Sequence, residues 1–421
     1  MKLRVLFDVA ELGSYCQVGV RGVRRVVENL ARGLVNAPTV DVQFAGISRF
    51  DAVAVESLVK GAGARSVRFS RTPPAVDYLG TFSLRAAESR LAKRLGPFPV
   101  DAALGKLGMM VAHSSRKISL ADVERSQIYH SPFRPLPAPS SAKPLAWVLT
   151  VYDAIPILHP ELVSPVSIHQ VSNIIASIHP DAWITCISET VKNDICELTS
   201  LPRERAFVTH LAASPEVFYP AVGIEAGTTR KHYGISEWPY ILSVGSIEKR
   251  KNVGHLIDSF ELLLNESATS ELRLVLVGAS SGALDELQAR IAGKPLLRRR
   301  VIFTGFVPNP DLAAIYSGAT AFAFPSLAEG FGLPPLEAMQ CGVPVVCSNA
   351  SSLPEVVADA GILLDPTNKD AWAEAMMQVS SDSELRDRMR VRSLARAANF
   401  TWEKTIAQLL KAYESVVEHV A

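Results

Sequence analysis

Phe324-Pro325-Ser326-Leu327-Ala328-Glu329-Gly330-Phe331-Gly332-Leu333-Pro334-Pro335-Leu336-Glu337-Ala338-Met339 joins the end of an apolar strand to a glycine turn and the start of a helix. Pro suits the first helical turn, where its missing N–H costs nothing, so the helix is expected to open near Pro334. Gly330 and Gly332 let the backbone approach a ligand closely, and the free N–H groups of a helix start favour an anion. Glu337 is expected in the first turn, stabilised by the helix dipole. Taken singly, Glu329 reads as a solvated loop acid and Glu337 as a dipole partner. Together they flank an anion cradle with two carboxylates able to accept hydrogen bonds from hydroxyls.

Outward from this stretch, short apolar runs alternate with segments of helical period. In the second half they are Tyr240–Gly245, Leu272–Gly278, Val301–Gly305, Ala321–Pro325, Pro344–Ser348 and Gly361–Asp365. The first half offers Leu3–Asp8, Val40–Ile47, Ser126–His130, Leu145–Asp153, Ala182–Ser188 and Ala206–Leu211. Runs such as Leu274-Val275-Leu276-Val277 suit parallel strands covered on both faces. Two alternating series predict an α/β chain of two Rossmann-like, doubly wound parallel-sheet domains facing across a cleft. The expected division is residues 1–218 and 219–400, with a hinge near Pro215–Pro239 where Pro and Gly interrupt the pattern. A last helix over 401–421 is expected to pack back on the first domain. Residues 49–125 carry no clear pattern.

The chain has 421 residues, 48% hydrophobic and 20% charged, with 43 Lys+Arg against 42 Asp+Glu. So balanced a charge speaks against a general nucleic-acid binder, which needs basic excess. Asp8 follows only three consecutive apolar residues, too few for a signal h-region, so a cytoplasmic protein is expected. Five cysteines with no Cys-x-x-Cys pair point to buried thiols rather than a zinc site or disulfides.

Charge is nevertheless concentrated locally. After Tyr240–Gly245 comes Ser246-Ile247-Glu248-Lys249-Arg250-Lys251-Asn252, then a helical segment with Asn252 as its expected N-cap. Arg250 and Lys251 therefore sit where open α/β sheets bind ligands, placed to neutralise a departing diphosphate. In the first half, Tyr152-Asp153 ends a strand at the equivalent edge. Gly22 and Arg25 lie where a helix opens, in Arg21-Gly22-Val23-Arg24-Arg25. Ser188 reads as a helix N-cap, and His130 and His210 as hydrogen-bonded structural residues. Residues 83–117 hold seven Lys/Arg against Glu88 and Asp101, a basic face suited either to solvent or to peripheral contact with an anionic membrane.

The stretch Pro-Ser-x2-Glu329-Gly-Phe-Gly-Leu-Pro-x2-Glu337-Ala-Met-x-Cys-Gly-x-Pro-Val resembles the signature of retaining GT-B glycosyltransferases of the family-4 type. That resemblance implies a nucleotide-sugar donor, with Glu329 on the donor-sugar hydroxyls and Glu337 on the ribose. It puts the amides of Gly330, Phe331 and Gly332, with Ser326 and Ser246, around the phosphate or sugar. Gly245-x-Ile-Glu-x-Arg-Lys-Asn is similar to the family's diphosphate loop, giving Arg250 and Lys251 that role. Asp153 aligns with the family's His-Asp pair and is expected among the catalytic residues, while Tyr152 stands in place of the His, expected to give the donor one hydrogen bond but unable to carry a proton near neutral pH. Gly22 and Arg25 match a loop that faces the diphosphate.

No Asp-x-Asp sequence occurs, so no metal and no cofactor are expected. The loop forms look most like bacterial surface-polysaccharide mannosyltransferases, such as those of lipopolysaccharide biosynthesis. This makes GDP-mannose the first expected donor, ahead of GDP-fucose, GDP-rhamnose and UDP-sugars. The acceptor is open among glycan, lipid-linked and protein substrates. A dinucleotide oxidoreductase would also use two such domains, but the nearest fingerprint, Gly61-Ala62-Gly63-Ala64-Arg65-Ser66, lacks its final Gly. A non-catalytic nucleotide-sugar-binding module is the other alternative.

Overall fold

The computed structural model describes residues 2–12, 21–45, 68–69, 120–137, 145–235, 238–266, 271–279 and 284–420. The basic region 83–117 and the Gly61–Ser66 segment lie outside these residues. Near-continuous apolar runs form strands because both faces of a parallel sheet are covered. The first sheet contains β1 (Leu3–Asp8), β2 (Val40–Ala45), β3 (Arg68–Phe69), β4 (Ile128–Ser131), β5 (Ala146–Val151), β6 (Trp183–Cys186) and β7 (Ala206–Val208). The second contains β8 (Tyr240–Val244), β9 (Arg273–Val277), β10 (Val301–Gly305), β11 (Ala321–Phe324), β12 (Val345–Ser348) and β13 (Ile362–Leu364).

All pairings are parallel, in the orders β3-β2-β1-β4-β5-β6-β7 and β10-β9-β8-β11-β12-β13. Each sheet thus reverses its winding once, between β1 and β4 and between β8 and β11. Ligands of open α/β sheets bind at the C-terminal edges flanking such a reversal. Among the described residues, only β3 lies where no strand was expected; at two residues it is too short to leave a pattern.

The chain crosses between domains twice. By Phe218 it has already reached the second domain, since that ring packs on Tyr316 at 5.8 Å and Gln340 Nε2 donates to the Phe218 carbonyl at 2.9 Å. The helix Trp402–Val420 returns to the first domain and buries Leu409, Ala412, Tyr413 and Val416. Its Tyr413 hydroxyl meets His130 Nδ1 at 2.6 Å, and His130 Nε2 meets Thr150 Oγ1 at 2.7 Å. His130 is therefore structural, and burial pushes its pKa down to about 3. Cys186, Cys196, Cys341 and Cys347 are buried free thiols. Among the described residues no helix is long and apolar enough to cross a membrane.

Candidate functional site

The second sheet's reversal brings two loops together. One leaves β8 through Gly245 and a short 3-10 turn, Lys249–Lys251; the other leaves β11 through Pro325–Gly332. Glu329, buried at 8% exposure, is where they meet. Its Oε1 accepts from Lys251 Nζ at 2.6 Å and from Ser326 Oγ at 2.6 Å, while its Oε2 lies 2.8 Å from Arg250 Nη1. Burial alone would raise this carboxyl, but Lys251 and Arg250 outweigh it and hold the pKa down at about 2.

Burial drives the Lys251 ammonium down, partly countered by Glu329, and its Nζ lies 4.8 Å from the centre of the Phe324 ring. The effects on the two partners point opposite ways for stability: Glu329 gains from ionising here, whereas Lys251 is penalised. The short contacts and two cations on one carboxylate favour the fully ionised cluster. Burial also works against charge on Arg250, but Glu329 and Glu248 overcome it and raise its pKa. Ser246 is exposed beside this cluster.

At Gly330 the backbones of the two domains come close together. A Cβ there would collide with the Tyr152 carbonyl oxygen and lie 3.0 Å from Asp153 Cβ. Ser188 Oγ donates to the Gly330 carbonyl at 2.7 Å while capping the helix Glu189–Thr199 through the Val191 N–H. Ser352 Oγ reaches the carbonyls of Glu329 and Phe331 at 2.8 and 2.9 Å, fixing the turn from behind. Gly332, at φ +114°, starts the helix Leu333–Gln340 in a conformation closed to most side chains. Phe331 is buried against Phe400 and His210. Asp153 faces the cluster from β5; burial raises its carboxyl, with Arg250 opposing.

Glu337 occupies the second turn of its helix, not the first, so the dipole does not account for it. Arg25 Nη1 crosses from the first domain to its Oε1 at 2.7 Å, and the Tyr316 hydroxyl donates to Oε2 at 3.0 Å. Burial raises Glu337, and Arg25 and Tyr316 counteract it. Gly22 and Arg25 belong to the helix Arg21–Asn36 rather than to a loop, and Arg25 also donates to Asn309 at 3.2 Å. Arg25 thus joins the first domain to Glu337 of the second. Asn252 does not cap the following helix with its side chain. It adopts φ +56° and donates its amide to the Pro366 carbonyl at 2.9 Å.

One group escaped the sequence reading. Glu355 takes the Glu189 N–H on both oxygens at 3.0 Å and meets His210 Nε2 at 2.6 Å, pinning the second domain to the first. Its segment, Ser352-Leu353-Pro354-Glu355, shows a helix start with an acid in the first turn, which reads as local capping rather than a cross-domain contact.

Residues 227–396 match the family model for glycosyl transferases group 1. This match lies within the second domain. Over 231 residues the chain is 36% identical to O-antigen chain mannosyltransferase B of Escherichia coli, covering 55% of this chain and 60% of that protein. Over 319 residues it is 28% identical to the serotype-specific mannosyltransferase WbdA of the same species, covering 73% and 39%. The chain thus spans less than two-thirds of the length of either relative. The structure of Anabaena Alr3699/HepE with UDP and glucose superposes at a TM-score of 0.61 with 18% identity, covering 98% of this chain and 100% of that one. That likeness establishes the fold as GT-B.

Proposed function

We propose that this chain is a retaining, family-4, metal-independent glycosyltransferase that moves a hexose from a nucleotide-diphosphate sugar, GDP-mannose first, to a glycan or lipid-linked acceptor. The observation that carries this reading is the convergence of Arg250 and Lys251 on Glu329 at the second sheet's reversal. A diphosphate entering there exchanges with Glu329 as the partner of the two cations. Glu329 is then released to accept hydrogen bonds from the donor-sugar hydroxyls. As the sugar–phosphate bond breaks, Lys251 and Arg250 stabilise the charge developing on the leaving oxygen without reorganising. They supply the neutralisation that a metal would otherwise provide.

Glu337, at the helix next to the cradle, is assigned to the ribose, with Tyr316 and Arg25 keeping it oriented. Retention rests on the resemblance of the Glu329–Glu337 stretch: the acceptor attacks from the face the diphosphate leaves, and the leaving phosphate takes its proton. Mannose is favoured by the two mannosyltransferase relatives. A UDP-sugar is the second reading, since the HepE structure was solved with UDP and glucose. The same relatives favour a role in bacterial polysaccharide assembly. Contact of residues 83–117 with anionic membrane is a separate proposal; it fails if vesicle binding survives neutralisation of Arg90, Lys93 and Arg94.

A panel of GDP-, UDP-, ADP- and CMP-sugars in EDTA tests the reading by thermal shift. Ligand at a hundredfold over its Kd adds about 2.7 kcal/mol to the folded state. GDP-mannose is expected to raise the melting temperature most. Stabilisation by NAD(P) and by no nucleotide sugar would contradict it.

A further inference from the structure

The proposed donor site uses the reversal of the second sheet and leaves that of the first without a ligand. Glu11 follows β1 and Arg134 follows β4, so they flank that reversal, and Tyr152 follows the adjacent β5. Arg134 Nε donates to Glu11 Oε1 at 3.0 Å, with both side chains still partly exposed. The Tyr152 ring lies edge-on to Phe133 at 5.6 Å, turned into the first domain while its carbonyl faces Gly330. Its hydroxyl is buried and has no hydrogen-bond partner among the described residues. Burial, reinforced by Glu11, keeps that hydroxyl protonated. A buried donor with nothing to donate to is costly, and such groups in native structures call for a partner.

We propose that Glu11, Arg134 and Tyr152 form an acceptor subsite that grips one sugar ring of a glycan by its hydroxyls. Glu11 accepts from ring hydroxyls, the Arg134 Nη groups donate to ring oxygens, and the Tyr152 hydroxyl finds its partner there. Because Glu11 and Arg134 neutralise each other, the subsite suits a neutral polyol better than a phosphate. Phe133 and Tyr152 add aromatic surface for a pyranose face. The location fits an acceptor: Asp153, next in the chain, faces the Arg250–Glu329 cluster. This inference rests on the transferase reading.

Saturation-transfer NMR on the full chain, loaded with the nucleoside diphosphate that stabilises it, tests the subsite with methyl α-D-mannopyranoside as probe. Tyr152→Phe removes only the unpaired hydroxyl. It is expected to melt no lower than the wild type and to keep its nucleotide-induced shift. Its Kd for the glycoside is expected to rise about tenfold or more, as for a site built to bond a hydroxyl that is now unmatched. Glu11→Gln is expected to weaken the glycoside similarly. Equal binding by wild type and both variants overturns the subsite, as does no glycoside binding to the nucleotide-loaded wild type. A Tyr152→Phe protein that melts several degrees lower would show a structural hydroxyl instead. If no nucleotide stabilises the wild type, the transferase reading itself fails and takes the subsite with it.

Discussion

Replacing Glu329 by Gln separates the two tasks assigned to that carboxylate. Lys251 and Arg250 hold it at about 2 against an ordinary 4.5. At about 1.4 kcal/mol per pH unit this corresponds to about 3 kcal/mol of stability at neutral pH. The sign follows from a depressed carboxyl: the contribution is complete above the ordinary pKa of 4.5 and is lost as pH falls from there toward 2. Losing one member of a buried charge cluster costs a comparable amount, about 3–5 kcal/mol.

For a domain of this size, about 3 kcal/mol lowers the melting temperature by about 6–12 °C. The difference should shrink as pH falls from 4.5, and below about pH 2 the wild type should converge on the variant. Calorimetry with and without GDP then distinguishes the second task. In the wild type the diphosphate must displace Glu329 from the cations, whereas in Glu329→Gln it has no competitor. GDP should therefore stabilise the variant more than the wild type, even though sugar transfer falls. A variant melting within a degree or two of wild type, or one that GDP stabilises less, refutes the exchange of carboxylate for phosphate.

Gly330→Ala places a methyl group against the Tyr152 carbonyl, so transfer should fall at least about a hundredfold (about 2.7 kcal/mol) while calorimetry finds GDP binding retained by the second domain. Glu337→Gln should erase the preference for GDP over its 2′,3′-dideoxy analogue; a preserved preference would move the ribose elsewhere. Arg25→Ala removes the cation that opposes the burial-driven rise of Glu337, so the acid limb of nucleotide binding should move to higher pH.

Much of the fold was legible because parallel strands buried on both faces are near-continuous apolar runs. Leu274-Val275-Leu276-Val277 could hardly be anything else at that length, and its neighbours followed the same logic. Arg68–Phe69 left no such run. The site was legible as a set of chain segments, since Gly330, Gly332 and the prolines of Leu333–Gln340 announce a turn into a helix. Pairings across the cleft were not. Arg25 and Glu337 lie 312 positions apart, and only the folded chain shows that a helix residue of the first domain reaches the second. Asn252 was misread for a local reason: Asn both caps helices and tolerates the left-handed region, and here the backbone took the second option. The Tyr152 substitution was visible in the sequence, but the absence of a partner for its hydroxyl required the packing around it.

The central claim is tested most directly by following GDP-mannose by proton NMR with the full chain, methyl α-D-mannopyranoside and EDTA. The account predicts release of GDP and formation of an α-linked dimannoside from the α-configured donor, lost on Lys251→Ala. A β-linked product would contradict retention, and no turnover of GDP-mannose or of any other nucleotide sugar would contradict the transferase assignment.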